Sequence, residues 1–405
     1  MHRSGLRWAV CMAPATDPMK WGIERNTGAA AGAMFLLALG ENLWLRFLPK
    51  YLEALGAPVL AIGAYGSTKD FLDGVYQYPG GVAGDRYGRR RALALFIGLA
   101  AVGYAIVAVA TTWPIVLAGM VFVMAWSSMA SPSLFAVIGD ALPSHRRALG
   151  FSIQSILRRV PIAVAPSLGG ILIATYGVRA GVRMGLLVAI LLACLALLAV
   201  RQLRLTPPAA HVPLGIRQVW GSLPDPLRRL LVSDVFIRTC EGMVDVFLVI
   251  YALNVVGVSA PQFGLLIAVQ MITAIACYLP VARLADRFGG KPFVIATFVA
   301  FSLFPFAVVA ARGFGGLLLA YVVGGLREMG EPARKALIVD LVPPASRARG
   351  IGLYYFVRSL AITPAALLGG ALWSITPSLP FLVAGATGLV GTALFATRVD
   401  ERFAG

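Results

Sequence analysis

From about residue 28 to residue 397 the sequence is a succession of apolar stretches, each close to the roughly 20 residues with which a helix crosses a hydrocarbon layer of about 30 Å. No other feature constrains the fold as strongly. Backbone polar groups in hydrocarbon find no water, so segments of this length are helical. The stretches lie at 28–52, 60–80, 92–111, 114–140, 150–175, 182–200, 232–256, 261–282, 292–311, 315–340, 350–375 and 380–397. With 59% apolar residues in 405, the chain carries more hydrocarbon than a globular core can hold. The expected fold is an all-α polytopic membrane protein of 12 transmembrane helices, with both termini on one side.

The charge balance agrees. Thirty-five Lys and Arg against 18 Asp and Glu leave +17, which in a soluble protein would point to nucleic acid. Here the bases fall between apolar runs, so no nucleic-acid partner is expected. Arg86, Arg89, Arg90, Arg91, Arg146, Arg147, Arg201, Arg204, Arg287, Lys291, Arg347 and Arg398 lie on the side of the termini, against Arg179, Arg183 and Arg312 on the other. That asymmetry makes the terminal side cytoplasmic, in a cell (inner) membrane. Pro207, Pro208, Pro213, Pro224 and Pro226 mark a linker. The expected organisation is a cytoplasmic tail at 1–27, a helical bundle at 28–200, a cytoplasmic linker at 201–231, a second bundle at 232–397 and a tail at 398–405. The run Trp8 to Pro14 is too short for a signal-peptide core. Cys11, Cys194, Cys240 and Cys277 are scattered and the three histidines isolated, so neither metal nor cofactor is expected.

The two bundles are copies. FAVIGDALPSHRRALGFSIQSILRR from Phe135 aligns with KALIVDLVPPASRARGIGLYYFVRS from Lys335, matching Asp140 to Asp340, Arg147 to Arg347 and Arg158 to Arg358. At the same offset Pro132 meets Pro332, Gly169 and Gly170 meet Gly369 and Gly370, and Glu41 meets Glu241. GGVAGDRYGRRR at Gly80 to Arg91 returns as ARLADRFGGK at Ala282 to Lys291. An ordered set of matches over several helices implies two pseudo-symmetric six-helix halves.

With its second-to-third-helix loop carrying Gly81, Asp85, Arg86, Gly88, Arg89, Arg90 and Arg91, the chain resembles the major facilitator superfamily. The second copy keeps Asp286, Arg287, Gly289 and Lys291, with Ala282 where the pattern has glycine. The resemblance implies that this loop, extended by Asp140, Arg147, Asp340 and Arg347, forms a cytoplasmic gating cluster. A turn that merely anchors the loop is the alternative. The resemblance also implies that the first, fourth, seventh and tenth helices line a central cavity and the third, sixth, ninth and twelfth face lipid. The third, ninth and twelfth stretches contain no Asp, Glu, Lys or Arg, and the sixth contains only Arg183 at its start.

Ionisable groups inside a membrane cost at least about 2.5–3.5 kcal/mol each and so mark function. The candidates for coupling and for the cavity are Glu41, Arg46, Asp70, Asp73, Arg158, Arg238, Glu241, Asp245, Arg327, Glu331 and Arg358. Glu41 and Glu241, at equivalent places in the two halves, lead for proton coupling. Arg238, Glu241 and Asp245 share one helix face at i, i+3, i+7. The alternative is permanent neutralising pairs, with Lys69 on Asp73 at i, i+4, and with Arg334 and Lys335 snorkelling to the interface.

The fifth stretch carries PIAVAPSLGG, Pro161 to Gly170, similar in part to the antiporter signature of the drug–proton branch. Pro166, Gly169, Gly170, Pro332 and Pro364 are expected to bend helices or let them approach closely. The fourth stretch, MAWSSMASPS, lacks the arginine many antiporters carry there. Trp44, Tyr76, Tyr78, Trp126, Tyr354 and Tyr355 are candidates to enclose an organic solute, or to serve as packing. A phosphate-binding loop, HExxH and a nucleophile elbow are all missing. The expectation is a monomeric secondary transporter, not an enzyme, moving a small organic solute with protons across lipid. Export by antiport is favoured modestly. Uptake of an organic anion or zwitterion by symport or uniport is the alternative, and a transporter-like receptor the distant one.

Overall fold

The computed structural model describes residues 18–129, 147–201, 224–342 and 347–399, and these are helices joined by short turns. The first stretch is α1 (Pro18–Asn42), a 3-10 turn at Leu45–Phe47 and α2 (Leu48–Ala54). Then follow α3 (Val59–Tyr87), α4 (Arg89–Val109), α5 (Trp113–Met124) with a π turn at Ala125–Met129, and α6 (Arg147–Arg201). The second half holds α7 (Asp225–Asp245), α8 (Leu248–Ile250) with a π turn at Tyr251–Val256, α9 (Ala260–Phe288), α10 (Lys291–Ala310), α11 (Gly313–Leu326) and α12 (Glu331–Leu341). It closes with α13 (Arg347–Ile362), α14 (Ala365–Trp373) and α15 (Leu379–Arg398).

Among the described residues, seven helices are long and apolar enough to cross a membrane, and eight if the pair bent by 44° at Asp225–Asp245 and Leu248–Val256 counts as one. The remaining expected crossings differ for visible reasons. Helix α6 holds two stretches joined at Gly177, whose φ of 80° breaks the helix. Helix α3 carries Lys69, Asp70 and Asp73, and α5 and α11 are short because their stretches are interrupted. Two boundaries move from their expected places. Helix α1 begins at Pro18, and α7 begins at Asp225, because Pro226 sits in a first turn where its missing N–H costs nothing.

The first, fourth, seventh and tenth stretches each leave the α-helix, at Leu45–Phe47, Ala125–Met129, Val246–Phe247 and Arg327–Gly330, and the eleventh leaves it at 363–364. The third, ninth and twelfth, as α4, α10 and α15, do not. Irregular backbone at membrane depth is tolerated where it is buried in protein or lines a cavity. Pro332 falls in the first turn of α12 and Pro364 between α13 and α14, at two of the breaks. Pro166 lies within α6 instead, which continues through it. The uninterrupted helices present hydrocarbon outward: Leu95, Val102, Leu187, Leu191, Leu303 and Leu389 are exposed, as a lipid-facing surface requires.

Glycines set the helix contacts, and they do so twice. Gly169 of α6 abuts the Leu43 carbonyl, and Gly369 of α14 abuts the Met243 carbonyl. Gly170 faces Ala260 across the two halves, and Gly370 faces Val59 and Leu60 across the opposite seam. Each pair repeats the other at the spacing of the sequence duplication. The ends of α2 and α8 distant from the termini are tied by Lys50 Nζ to Asn254 Oδ1 at 2.5 Å and by Asn254 Nδ2 to Glu53 Oε1 at 2.7 Å. On that side Arg183 donates to the Ala110 carbonyl at 2.7 Å and Arg179 to that of Ala54. These two arginines, exceptions to the basic asymmetry, thus serve carbonyls at helix ends.

A side chain at Gly169 has nowhere to go. Gly169→Val is expected to lower the thermal unfolding midpoint in detergent by the equivalent of at least about 1–3 kcal/mol. Gly98→Ala, with nothing within 4 Å of the added carbon, should leave it unchanged.

Candidate functional site

A cavity of about 250 Å³ lies where the two halves meet, lined by Arg46, Gly66, Lys69, Asp70, Arg238, Glu241, Gly242, Asp245, Val246 and Ile362. The 3-10 turn after α1 brings Arg46 to it, one face of α3 brings Gly66, Lys69 and Asp70, α7 and the turn after it bring Arg238, Glu241, Gly242, Asp245 and Val246, and the end of α13 brings Ile362. Asp245 is its electrostatic centre. Its carboxylate accepts Lys69 Nζ at 2.9 Å on one oxygen and faces Arg46 Nη1 at 3.6 Å on the other, so an acid of the second half holds two bases of the first. Lys69 thereby pairs across the seam rather than with Asp73, which instead accepts the Ser128 hydroxyl at 2.8 Å.

Behind the cavity a network runs into the second half. Arg238 bridges Glu241 at 2.7 Å and Glu331 at 2.6 Å, and Arg327 approaches Glu241 at 3.9 Å while stacking over Phe304 at 4.4 Å. Arg334 joins Glu331 at 2.8 Å to Asp234 at 2.7 Å. Asp234 also takes Arg358 at 3.3 Å and the Tyr354 hydroxyl at 3.0 Å. Arg327 and Glu331 flank the turn at Arg327–Gly330 and both face this core, and the Thr297 hydroxyl accepts the freed Gly330 N–H at 2.7 Å. A further bridge crosses the seam where Arg159 Nη2 meets Glu328 Oε2 at 2.8 Å, with Tyr278 beneath the guanidinium.

Of the residues singled out from sequence, Arg46, Asp70, Arg238, Glu241 and Asp245 line the cavity, and Arg327, Glu331 and Arg358 stand in the network behind it. Glu41 is buried at 7% exposure and does not line the cavity, so the two symmetry-related glutamates have different surroundings. Arg334 does not snorkel; at 1% exposure it is among the largest buried side chains. Asp234 was missed, although it continues the face of Arg238, Glu241 and Asp245 at i−4 and that spacing would have found it. The described candidate aromatics are packing. Trp44 sits edge-on to Tyr104, Tyr76 donates to the Val121 carbonyl, Trp126 is buried, and Tyr355 lies under Arg358.

Of the gating residues, Gly88 and Gly289 end α3 and α9 with φ of 80° and 85°, values that favour glycine. Arg90, Arg91 and Arg287 are exposed. Asp140 and the side chains of Asp85, Arg86, Arg89, Arg147, Asp286, Asp340 and Arg347 lie outside the described residues, as do those of Arg158 and Tyr78, and Gly81 is described only as backbone of α3.

The sequence profile of the Major Facilitator Superfamily matches residues 30–253 and again residues 230–404. An uncharacterised transporter of that type from Methanocaldococcus jannaschii is 20% identical over 89% of this chain and 91% of its own. The multidrug resistance protein MdtG of Enterobacter lignolyticus is 26% identical over 80% of this chain and 79% of its own. The quinolone resistance protein NorA of Staphylococcus aureus is 27% identical over 37% of this chain and 38% of its own. Among solved structures, a POT family transporter superposes with a TM-score of 0.77 at 14% identity, over 93% of this chain and 96% of its own. The nucleoside transporter NupG gives 0.74 at 14%, over 91% and 98%. At such identities the structures speak for the fold.

Removing one member of a buried ion network leaves an uncompensated charge. Arg334→Met is expected to destabilise the protein by about 3–5 kcal/mol, read as thermal unfolding in detergent. The exposed Arg90→Ala should stay within about 0.5 kcal/mol of the parent.

Proposed function

Because the chain belongs to the Major Facilitator Superfamily, we propose that it is a secondary active transporter carrying a small organic solute through the seam cavity by alternating access. The observation that carries this reading is the composition of the cavity wall. Both halves contribute charged groups to it, and the Asp245 carboxylate is shared between α7 and the bases Arg46 and Lys69 of the other half. A contact made of ion pairs is broken or kept by a single charge, whereas an apolar seam is not.

Protons are the coupling species in this reading. A proton on Asp245 cancels the charge that holds Arg46 and Lys69, and its departure restores it. Asp70 and Glu241, on the same wall, are the further candidates, and Glu331, Arg238, Arg327 and Arg358 position them from behind. Glu41, away from the wall, takes a secondary place. The loop of Gly81, Asp85, Arg86 and Gly88, with Asp286 and Arg287, is the latch of the side bearing the termini. The tie of Lys50, Glu53 and Asn254 is its counterpart at the other end. The likeness to MdtG and NorA, both named for drug resistance, supports export by antiport. The working unit is a monomer in the cell (inner) membrane with both termini cytoplasmic, as the basic loops favour.

Reconstituted in liposomes with a lumenal pH dye and offered pooled lipophilic cations, organic anions, sugars and amino acids, the protein should move protons in response to one pool. Asp245→Asn should abolish that response. Absence of flux from every pool by folded protein would contradict the reading.

A further inference from the structure

The wall of the cavity is balanced in charge and poor in apolar surface. Its bases are Arg46, Lys69 and Arg238, and its acids Asp70, Glu241 and Asp245, three of each. The remainder is two glycines, Val246 and Ile362, with no aromatic ring among the described residues. At about 250 Å³ it lies below the roughly 300–1,000 Å³ of sites for drug-sized ligands. A lipophilic cation would need ring faces or apolar area to replace its hydration, and this wall offers little of either. A solute with net charge of either sign would also leave the balanced cavity with an uncompensated charge away from water, which is costly.

The pairing inside the cavity is uneven in a way that places the ligand's charges. Glu241 is engaged by Arg238 at 2.7 Å, and Lys69 holds Asp245 at 2.9 Å. Arg46 reaches the already occupied Asp245 only at 3.6 Å, as the second base on one carboxylate. Asp70, beside Gly242 with no side chain opposite, makes no ion pair among the described residues. One acid without an ion pair among the described residues and one base on a shared acid remain for a ligand to satisfy. Resting on the transporter reading above, we propose that the solute is a small zwitterion, its cationic group against Asp70 and its anionic group against Arg46. Bound so, it keeps the cavity neutral while giving each of the two groups a partner. Drug-sized lipophilic cations, which the names of MdtG and NorA would bring to mind, fit this wall poorly.

The test uses the full chain, purified and in liposomes, with a series of solutes differing only in charge: free small amino acids and dipeptides, their methyl esters as cations, their N-acetyl forms as anions, and tetraphenylphosphonium. Ligand-induced thermal stabilisation reports binding, and lumenal pH reports flux. At least one zwitterion should bind, and its ester and N-acetyl forms should bind at least tenfold more weakly. Asp70→Asn should bring the zwitterion and its N-acetyl form to within twofold of each other, and Arg46→Gln should do the same for the zwitterion and its ester. A singly charged member that binds as tightly as any zwitterion overturns the proposal and leaves the transporter reading standing. A folded protein that neither binds nor moves any member also overturns it, and the wider pools offered above then decide the transporter reading separately. The unmodified chain's charge series decides the question even where a variant does not fold.

Discussion

One carboxylate between two bases organises this molecule. Asp245 belongs to α7, whereas Arg46 and Lys69 come from the first half, so the pair is at once neutralisation and joint. In a medium where an isolated charge is expensive, none of the three can be left alone. The same requirement extends backward, as Glu241 needs Arg238, Arg238 reaches Glu331, and Glu331 shares Arg334 with Asp234. Arg327 and Glu331, four residues apart on either side of the turn between α11 and α12, both reach this network, and the N–H that the turn frees at Gly330 is accepted by the Thr297 hydroxyl.

Around this polar core the seams are built for close approach. Gly170 against Ala260 and Gly370 against Leu60 bring backbones of opposite halves together. Without a hydrophobic drive between helices in lipid, small residues and polar contacts supply the cohesion. The repetition of the two contacts at the spacing of the sequence duplication means that both seams have the same geometry, so motion of one half against the other treats them alike. The Arg159–Glu328 bridge and the tie of Lys50, Glu53 and Asn254, like the Asp245 contact itself, have no symmetric copy among the described residues.

How much of this was legible in the sequence depends on the range of the interaction. Hydrophobic length gave the helices, and the offset between residues such as Gly169 and Gly369 gave the duplication, because both are properties of the chain read in order. Pairing is not. Lys69 has Asp73 four residues away on its own helix, and only the three-dimensional arrangement hands it to Asp245, 176 positions on. Arg334 looked like an end residue because span ends are soft, yet the break at Arg327–Gly330 carries it inward. Glu41 and Glu241 match in sequence and part in space, since the duplicated frame does not oblige the neighbours of each copy to be the same. Asp234 was within reach of helical spacing alone.

In this reading the Asp245 contact holds the two halves in their present arrangement. The direct measurement is the distance between spin labels at Pro58→Cys and Val255→Cys, on a background without native cysteines, by pulsed electron resonance in liposomes. Asp245→Asn should shift the population toward longer distances as the two ends separate. An unchanged distance distribution in that variant would mean that the Asp245 contact does not hold the halves together.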